Sequence, residues 1–255
     1  MVSAMVLTAT GVNADGRREV LGLQVATCES GAAWNEFLAD LVARGLGGVR
    51  LVTSDAHTGL VEEAITANLP RATWQCCRTH YAANLMTVTP KSAWPALKTM
   101  LHSVYDQPDA AAVEAQFDRL LDYTRDPLPE AADHLEAARA DLLAYRRLPR
   151  RGMAADLVQQ PQERLNKEIR RRTDSVGIFP NRDTIIRLVG AVLAAQTDEL
   201  VEGRRCLSLD TLKQCQTTNK LQAGQPNTPP DTDPLTPNHE DPYTTTRDLP
   251  PTSSD

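Results

Sequence analysis

The feature that most constrains the fold is a short apolar segment, residues 49–53, that leads almost directly into an aspartate, Asp55. Its length and its branched side chains favour a buried strand over a helix. A helical pattern capped by Ser30 precedes this segment, and another helical stretch follows Asp55. A second β-prone stretch, residues 72–75, comes next. Strands that alternate with helices predict an α/β fold in which Asp55 lies at the end of a strand.

The remaining pattern divides the chain into parts. Residues 2–12 and 19–27 are rich in β-prone side chains, and the turn formers at 13–16 between them predict a hairpin. We expect a first part of the core at 1–89, an all-helical insert at 90–155, helices that complete the core at 156–206, and a tail at 216–255. The tail is rich in Pro, Thr and Asp and holds few large apolar residues, which predicts disorder.

Composition excludes several classes of protein. The formal net charge of −6 comes mostly from the acidic tail, so the rest of the chain is nearly neutral. Five cysteines at irregular spacing indicate reduced thiols rather than a disulfide framework. No stretch has the length and apolarity of a membrane span or the form of a secretory signal. We therefore expect a cytoplasmic protein that is neither exported nor embedded in a membrane.

Two carboxylates, Asp55 and Glu163, are candidate metal ligands. The first ends a strand, and the second opens a predicted helix at 163–172 that is rich in arginine. Such carboxylates supply the hard oxygen ligands that Mg²⁺ requires in phosphoryl-transfer enzymes. Each has a simpler alternative role: Asp55 could cap the helix that follows it, and Glu163 could interact with the dipole of its own helix.

A cysteine and a histidine, Cys77 and His80, lie in the motif Trp74-Gln-Cys-Cys-Arg-Thr-His80. Three residues apart on a helix, they share one face and could line a cleft. Two alternatives remain: a buried thiol beside a hydrogen-bonded histidine, and a zinc site, although no second Cys/His pair has ligand spacing. His57, two residues after Asp55, could position that loop or be a surface histidine.

The helix that carries Glu163 is strongly basic. Its cations are Arg164, Lys167, Arg170, Arg171 and Arg172. So many positive charges near a metal site would attract the phosphate backbone of DNA without reading its bases. The alternative is a solvated, charged helix face.

Several motifs together resemble the Mutator-type transposases of bacterial insertion sequences, which belong to the DDE superfamily. The motifs are Gly11-Val-Asn-Ala-Asp-Gly-Arg-Arg-Glu-Val-Leu-Gly22, Leu51-Val-Thr-Ser-Asp-Ala-His-Thr-Gly59, Trp74-Gln-Cys-Cys-Arg-Thr-His80, Glu163-Arg-Leu-Asn-Lys-Glu-Ile-Arg-Arg-Arg-Thr173, Ile178-Phe-Pro-Asn181 and Arg187-Leu-Val-Gly190. They occur in the family's order over residues 1–206. The tail lies outside the resemblance.

The resemblance implies a ribonuclease-H-like core with a helical insert and an Asp-Asp-Glu triad that holds two Mg²⁺ ions. Asp55 and Glu163 would be the second and third members of that triad, and Cys77 and His80 would line the cleft. The implied function is DNA transposition of an insertion sequence by metal-dependent strand cleavage and transfer. The implied partners are DNA, as transposon ends and target, and a second copy of the chain.

The chain also departs from the family pattern. In the family the first aspartate lies on a central strand that precedes residues 6–12, and neither Asp15 nor Asp40 stands in a position to replace it. We therefore expect that this strand is missing, that the chain is N-terminally truncated, and that it is inactive alone. The alternative function is that of a catalytically inactive remnant that binds DNA or an intact transposase.

Overall fold

Two pairs of strands and a larger group of helices make up the computed structural model, which describes residues 4–147 and 156–202. At residues 62 and 147 and over residues 156–163 and 198–202 it describes the backbone alone. The described residues are mostly helical, and the parallel strand pair with a helix between its strands fits the predicted α/β class. Within the described ranges, no helix has the length and apolarity needed to cross a membrane.

The first strand pair is the predicted hairpin. Strands β1 (Met5–Val12) and β2 (Arg18–Ala26) are antiparallel, with an irregularity in register after Ala9. The turn between them is held by Asn13, whose Oδ1 accepts hydrogen bonds from the backbone N–H groups of the second and fourth residues after it, at 3.0 and 3.1 Å. This side-chain turn explains why the polar stretch reverses the chain.

Helix α1 (Gly31–Ala43) covers one face of the hairpin. Its cap is Ser30, as predicted, whose Oγ accepts a hydrogen bond from Ala33 N at 3.2 Å. Phe37, Leu38 and Leu41 point inward at helical spacing and meet Leu7 of β1. The alternation of side chains along β1 leaves its other face for a second layer.

The second strand pair leads to Asp55. Strands β3 (Leu51–Ser54) and β4 (Thr73–Cys76) are parallel and, among the described residues, pair only with each other. The helix predicted between them is present, but its first part, Gly59–Ile65, is π-helical and only α2 (Thr66–Asn68) is regular. In these wider turns, residues four and five positions apart along the chain face the same way. Leu60, Ala64 and Ile65 are accordingly all buried.

Helix α3 (Arg78–Thr87) follows β4, and the expected helices of the insert are present after it. They are α4 (Trp94–Tyr105), α5 (Ala110–Arg125) and α6 (Pro129–Leu142), with short 3₁₀ turns at Lys91–Ala93 and Ala144–Arg147. Their shared core contains Leu97, Phe117, Leu120 and Leu135, all fully buried. The division into domains drawn from the sequence stays a prediction, and residues 148–155 lie outside the described ranges.

Two further helices cover the other face of the hairpin. Helix α7 (Asp156–Val176) and helix α8 (Arg182–Glu202) pack on Val25 through Leu165, Ile169, Ile185, Val189 and Leu193. Gly177, with φ of 73°, ends α7 in a conformation that few other residues adopt. The predicted start of α7 at residue 163 is wrong, because the helix begins at Asp156. The tail predicted to be disordered lies outside the described residues.

Candidate active site

Asp55 directly follows β3, in the loop before the π-helical segment. Its side chain is 62% exposed, so the carboxylate is open to solvent. The alternative role as a helix cap is wrong: Thr58 precedes the first helical residue and makes no side-chain cap bond. The backbone carbonyl of Asp55 instead accepts a hydrogen bond from His57 N at 3.0 Å, which tightens the loop. The carboxylate is therefore available for a ligand.

Cys77 and His80 lie beside Asp55 because β4 is parallel to β3. The backbone N–H of Cys77 donates to Ser54 O at 2.8 Å and extends the strand pairing to the start of α3. His80 Nδ1 lies 3.2 Å from Cys77 Sγ and also contacts Asp55 Oδ1. Cys77 is the N-cap residue of α3 and His80 lies in its first turn, so the two side chains meet at the start of that helix. These two contacts raise the pKa of His80 to about 10, the hydrogen bond that His80 donates to Asp55 being the larger cause.

One ring nitrogen receives both contacts. In a cysteine hydrolase the thiol and the orienting carboxylate contact different nitrogens of the imidazole, so that a proton can pass through the ring. Here the carboxylate of Asp55 and the sulfur of Cys77 both meet Nδ1 of His80. The arrangement is therefore not that of a nucleophilic triad. Its three ligand atoms lie within 4.8 Å of one another.

Polar bonds and a close glycine contact hold this loop. Trp74 Nε1 donates to Ser54 Oγ at 2.9 Å, and that hydroxyl donates to Asp55 O at 2.8 Å. Gly59, which starts the π-helical segment, lies so close to Gly31 at the start of α1 that a Cβ on Gly59 would be 2.5 Å from the Gly31 Cα. Sequence reasoning missed these supporting roles, although the glycine after Asp-Ala-His-Thr was a visible signal.

His57 orders the Asp55 loop through its backbone. Its N–H donates to Asp55 O, and its own carbonyl accepts from Leu60 N and Val61 N at 2.9 and 3.0 Å. The residue is half-buried, so it is not the simple surface histidine of the alternative interpretation. These bonds are made by the main chain and place no demand on the imidazole.

Glu163 lies on α7, about two turns after the helix begins. It is therefore outside the first turn, and the alternative of a first-turn glutamate that interacts with the helix dipole is wrong. Its side chain lies outside the described residues, so its role as a metal ligand stays a prediction.

The predicted basic residues of α7 do not form a uniform surface. Arg164, Lys167 and Arg170 are exposed. Arg171 and Arg172 pair with Glu168 at 2.7 and 2.8 Å, and these bonds lower the pKa of Glu168 to about 2. Among the described residues, no hydrogen bond or ion pair joins these cations to Asp55, Cys77 or His80. Part of the positive charge is thus neutralised within the helix.

Comparison with known proteins gives a consistent result. A family model described as "Transposase, Mutator family" matches residues 1–203. The transposase for insertion sequence element IS1081 of Mycobacterium tuberculosis is 61% identical over 212 residues, which are 83% of this chain and 51% of that protein. The transposase for ISRM5 of Rhizobium meliloti is 36% identical over 214 residues, 84% of this chain and 54% of the relative.

A third relative extends the comparison. The transposase for IS256 in transposon Tn4001 of Staphylococcus aureus is 34% identical over 202 residues, 77% of this chain and 50% of the relative. The chain thus spans about half the length of the curated relatives it matches. Because the family model covers most of the sequence, the resemblance inferred from the motifs is confirmed. This chain belongs to the Mutator family of transposases.

Proposed function

We propose that the described region is part of the DNA-processing core of an insertion-sequence transposase. In this proposal Asp55 and Glu163 hold Mg²⁺ for DNA strand cleavage and transfer. The observation that carries the proposal is an exposed carboxylate at the end of a strand, inside the stretch matched by the transposase family. The proposed partners are DNA and a second copy of the chain. A second copy is favoured because transposition brings two transposon ends together.

The proposed core is ribonuclease-H-like. Leu7 of β1 and Val52 of β3 both pack in the apolar cluster under α1, so the two strand pairs share one covering layer. A single strand paired with both β1 and β3 would join them into one mixed sheet. In the family pattern that strand carries the first aspartate of the triad. The sharing of one apolar cluster by both pairs supports this arrangement.

Asp55 fits a magnesium ion, whereas its immediate neighbours do not. Mg²⁺ takes oxygen ligands in octahedral geometry, and an exposed carboxylate meets that need. The sulfur of Cys77 and the imidazole of His80 are softer ligands. Asp55 is the single carboxylate of the cluster found among the described residues. The proposed centre therefore also requires Glu163 and the first aspartate of the family.

The residues around Asp55 have a positioning role in this proposal. When bound, the metal ions would stabilise negative charge on the attacking and leaving oxygens of the phosphodiester. His80 is protonated at neutral pH, because Asp55 and Cys77 raise its pKa to about 10. It donates a hydrogen bond to the Asp55 carboxylate and fixes its orientation. Its positive charge also attracts an incoming phosphate.

Helix α7 would contact the DNA backbone. Leu165 and Ile169 bury one side of the helix, and Arg164, Lys167 and Arg170 are exposed beside them. Lysine and arginine bind phosphate oxygens without regard to sequence, so this face would position DNA rather than select it.

The proposal is tested by magnesium-dependent cleavage and strand transfer on DNA that carries the ends of the insertion sequence, with the chain joined to the family segment that carries the first aspartate. Loss of a residue that only supports a metal ligand typically costs ~10–100-fold in activity. Asp55→Asn and Glu163→Gln alter proposed ligands themselves, so each should reduce the cleavage rate by more than that. Asp15→Asn, which removes an exposed carboxylate in the hairpin turn, is the matched control and should cleave like the unaltered chain.

The outcomes separate the candidate functions. Cleavage that survives Asp55→Asn would overturn the metal-ligand role. DNA binding without cleavage in Mg²⁺, even with that segment joined, would identify the alternative, a non-catalytic protein that binds DNA or an intact transposase.

A further inference from the structure

The three side chains beside β3 and β4 converge on one point rather than forming a chain of contacts. Asp55 Oδ1 and Cys77 Sγ both meet Nδ1 of His80, the sulfur at 3.2 Å. In a tetrahedral zinc site, metal–ligand distances of about 2.0–2.3 Å place the donor atoms roughly 3.3–3.8 Å apart. The sulfur-to-nitrogen spacing is close to that range. All three donor atoms lie within 4.8 Å of one another.

We propose that Asp55, Cys77 and His80 bind a thiophilic divalent cation of the Zn²⁺ type. Thiolate, imidazole and carboxylate are the ligands that zinc takes in proteins, and three protein ligands with one open position are typical of its reactive sites. Magnesium rarely accepts sulfur or imidazole, so this donor set selects against it. Binding requires a thiolate and a neutral ring, so the Cys77 and His80 protons pass to solvent as the cation enters.

The backbone holds the three donors in place without the cation. Cys77 N–H bonds to Ser54 O, which fixes the end of β4 against the end of β3. His80 lies three residues farther along, in the first turn of α3. Such anchoring lowers the cost of assembling the site around an ion.

The exposure of the donors sets the kind of site. Cys77 is buried, with 8% of its surface exposed, whereas the side chains of Asp55 and His80 are 62% and 54% exposed. The cation would therefore lie at the surface, with its remaining coordination positions open to water or to an oxygen of a ligand. A fully buried structural zinc site would leave no such position.

This inference goes beyond the proposed transposase function and does not require DNA cleavage. It does share Asp55 with the proposed magnesium centre. A thiophilic cation on Asp55, Cys77 and His80 would therefore compete with Mg²⁺ for the Asp55 carboxylate, and Zn²⁺ would inhibit any magnesium-dependent cleavage.

The test is titration of the reduced full-length chain with Co²⁺ alone, without DNA, followed by absorption spectroscopy. Cobalt bound to a thiolate gives a sulfur-to-metal charge-transfer band, and we expect that band to saturate at one equivalent and to disappear when Zn²⁺ is added. Cys77→Ser should abolish it. Cys28→Ser, which removes an exposed cysteine away from the cluster, is the matched control and should keep it.

Two further variants guard against misfolding of the buried cysteine variant. Asp55→Asn and His80→Ala alter exposed side chains, and each should weaken Co²⁺ binding by at least about tenfold while the charge-transfer band remains. The inference is overturned if the unaltered chain gives no such band, if Cys77→Ser keeps it, or if His80→Ala binds Co²⁺ with unchanged affinity. Because Co²⁺ binding is measured without DNA, its failure would leave the cleavage result with Asp55→Asn unaffected.

Discussion

The helices between residues 91 and 147 and the two strand pairs differ in how completely their side chains are buried. Phe117, Leu120 and Leu135 in the helical region are fully buried. In β3 every residue is only half-buried, and in β1 only Leu7 is buried. Apolar burial stabilises the helical region, whereas the strands that present Asp55 rely more on polar bonds at their ends. A candidate site of this kind is positioned by a few specific contacts rather than by a large core.

The largest expected effect tests this contrast directly. Phe117→Ala should lower the free energy of unfolding by about 3–5 kcal/mol, because it empties a fully packed position. Val52→Ala on half-buried β3 should lower it by about 1 kcal/mol. Urea unfolding of both variants, followed by circular dichroism, measures the difference. Equal losses from the two substitutions would show that the strands are as tightly packed as the helices.

The junction between the two regions should give the next largest effect. Gln75 on β4 is buried; its Nε2 donates to Leu142 O at 2.9 Å and its Oε1 accepts from Tyr145 N at 2.9 Å. Gln75→Leu leaves these groups without their partner and should reduce the free energy of unfolding by about 2–4 kcal/mol. Gln107→Leu, which removes one bond from a half-exposed glutamine to Ser103 O, is the control. A loss no larger than that of the control would contradict the bridging role.

A smaller effect concerns DNA binding and compares α7 with the helical insert. Glu168→Gln removes the partner of Arg171 and Arg172, so both cations become available to phosphate. Affinity for nonspecific duplex DNA should rise, and the slope of log K against log salt should steepen by up to about 1.8. Glu136→Gln makes the same charge change at an exposed position of α6 and should leave the slope unchanged. Identical slopes for the two variants, measured by fluorescence anisotropy, would exclude DNA contact by Arg171 and Arg172.

The smallest effect is a dependence of stability on pH at the candidate site. The pKa of His80 is about 10 in the folded chain, against about 6.5 for an unperturbed histidine. Its stabilising contribution is thus complete below about pH 6.5 and is lost as the pH rises through about 10. Because His80 and Asp55 are both more than half exposed, solvent screens the pair and the contribution stays below about 1 kcal/mol.

Asp55→Asn should abolish most of this effect. The His80 pKa, followed by NMR titration, should fall toward its ordinary value. The difference in unfolding free energy between the variant and the unaltered chain should shrink as the pH approaches about 10. A His80 pKa that is unchanged in Asp55→Asn would show that Asp55 is not its main partner.

Local sequence predicted most of the elements. The hairpin followed from alternating β-prone residues around the turn at Asn13, and Ser30 was recognisable as a cap because its side chain acts within its own turn. The start of α7 was placed too late at residue 163, because the helix extends back past Pro161 to Asp156 although proline is unfavourable inside a helix. The π-helical turns after Asp55 were also missed, because their wider spacing differs little from an ordinary helical pattern over so few residues.

The candidate site was predictable in composition but not in geometry. The spacing of Cys77 and His80 placed them on one face, and their contact is observed. Contact of His80 with Asp55 depends on parallel pairing of two strands that are separated along the chain, which no local pattern encodes. Gln75 likewise finds its partner 67 residues away. Nonlocal polar bonds of this kind leave no periodic signal in sequence.

The contact between Gly31 and Gly59 has a consequence for how this chain tolerates mutation. A Cβ on Gly59 would lie 2.5 Å from the Gly31 Cα, and a Cβ on Gly31 would come as close to Glu63 Oε2. Any other amino acid at Gly59 must push two helix starts apart, and the main chain resists such a shift more than a side chain does. In a library of single substitutions selected only for a folded chain, Gly59 should therefore be depleted of variants as strongly as the apolar core, although it carries no functional group.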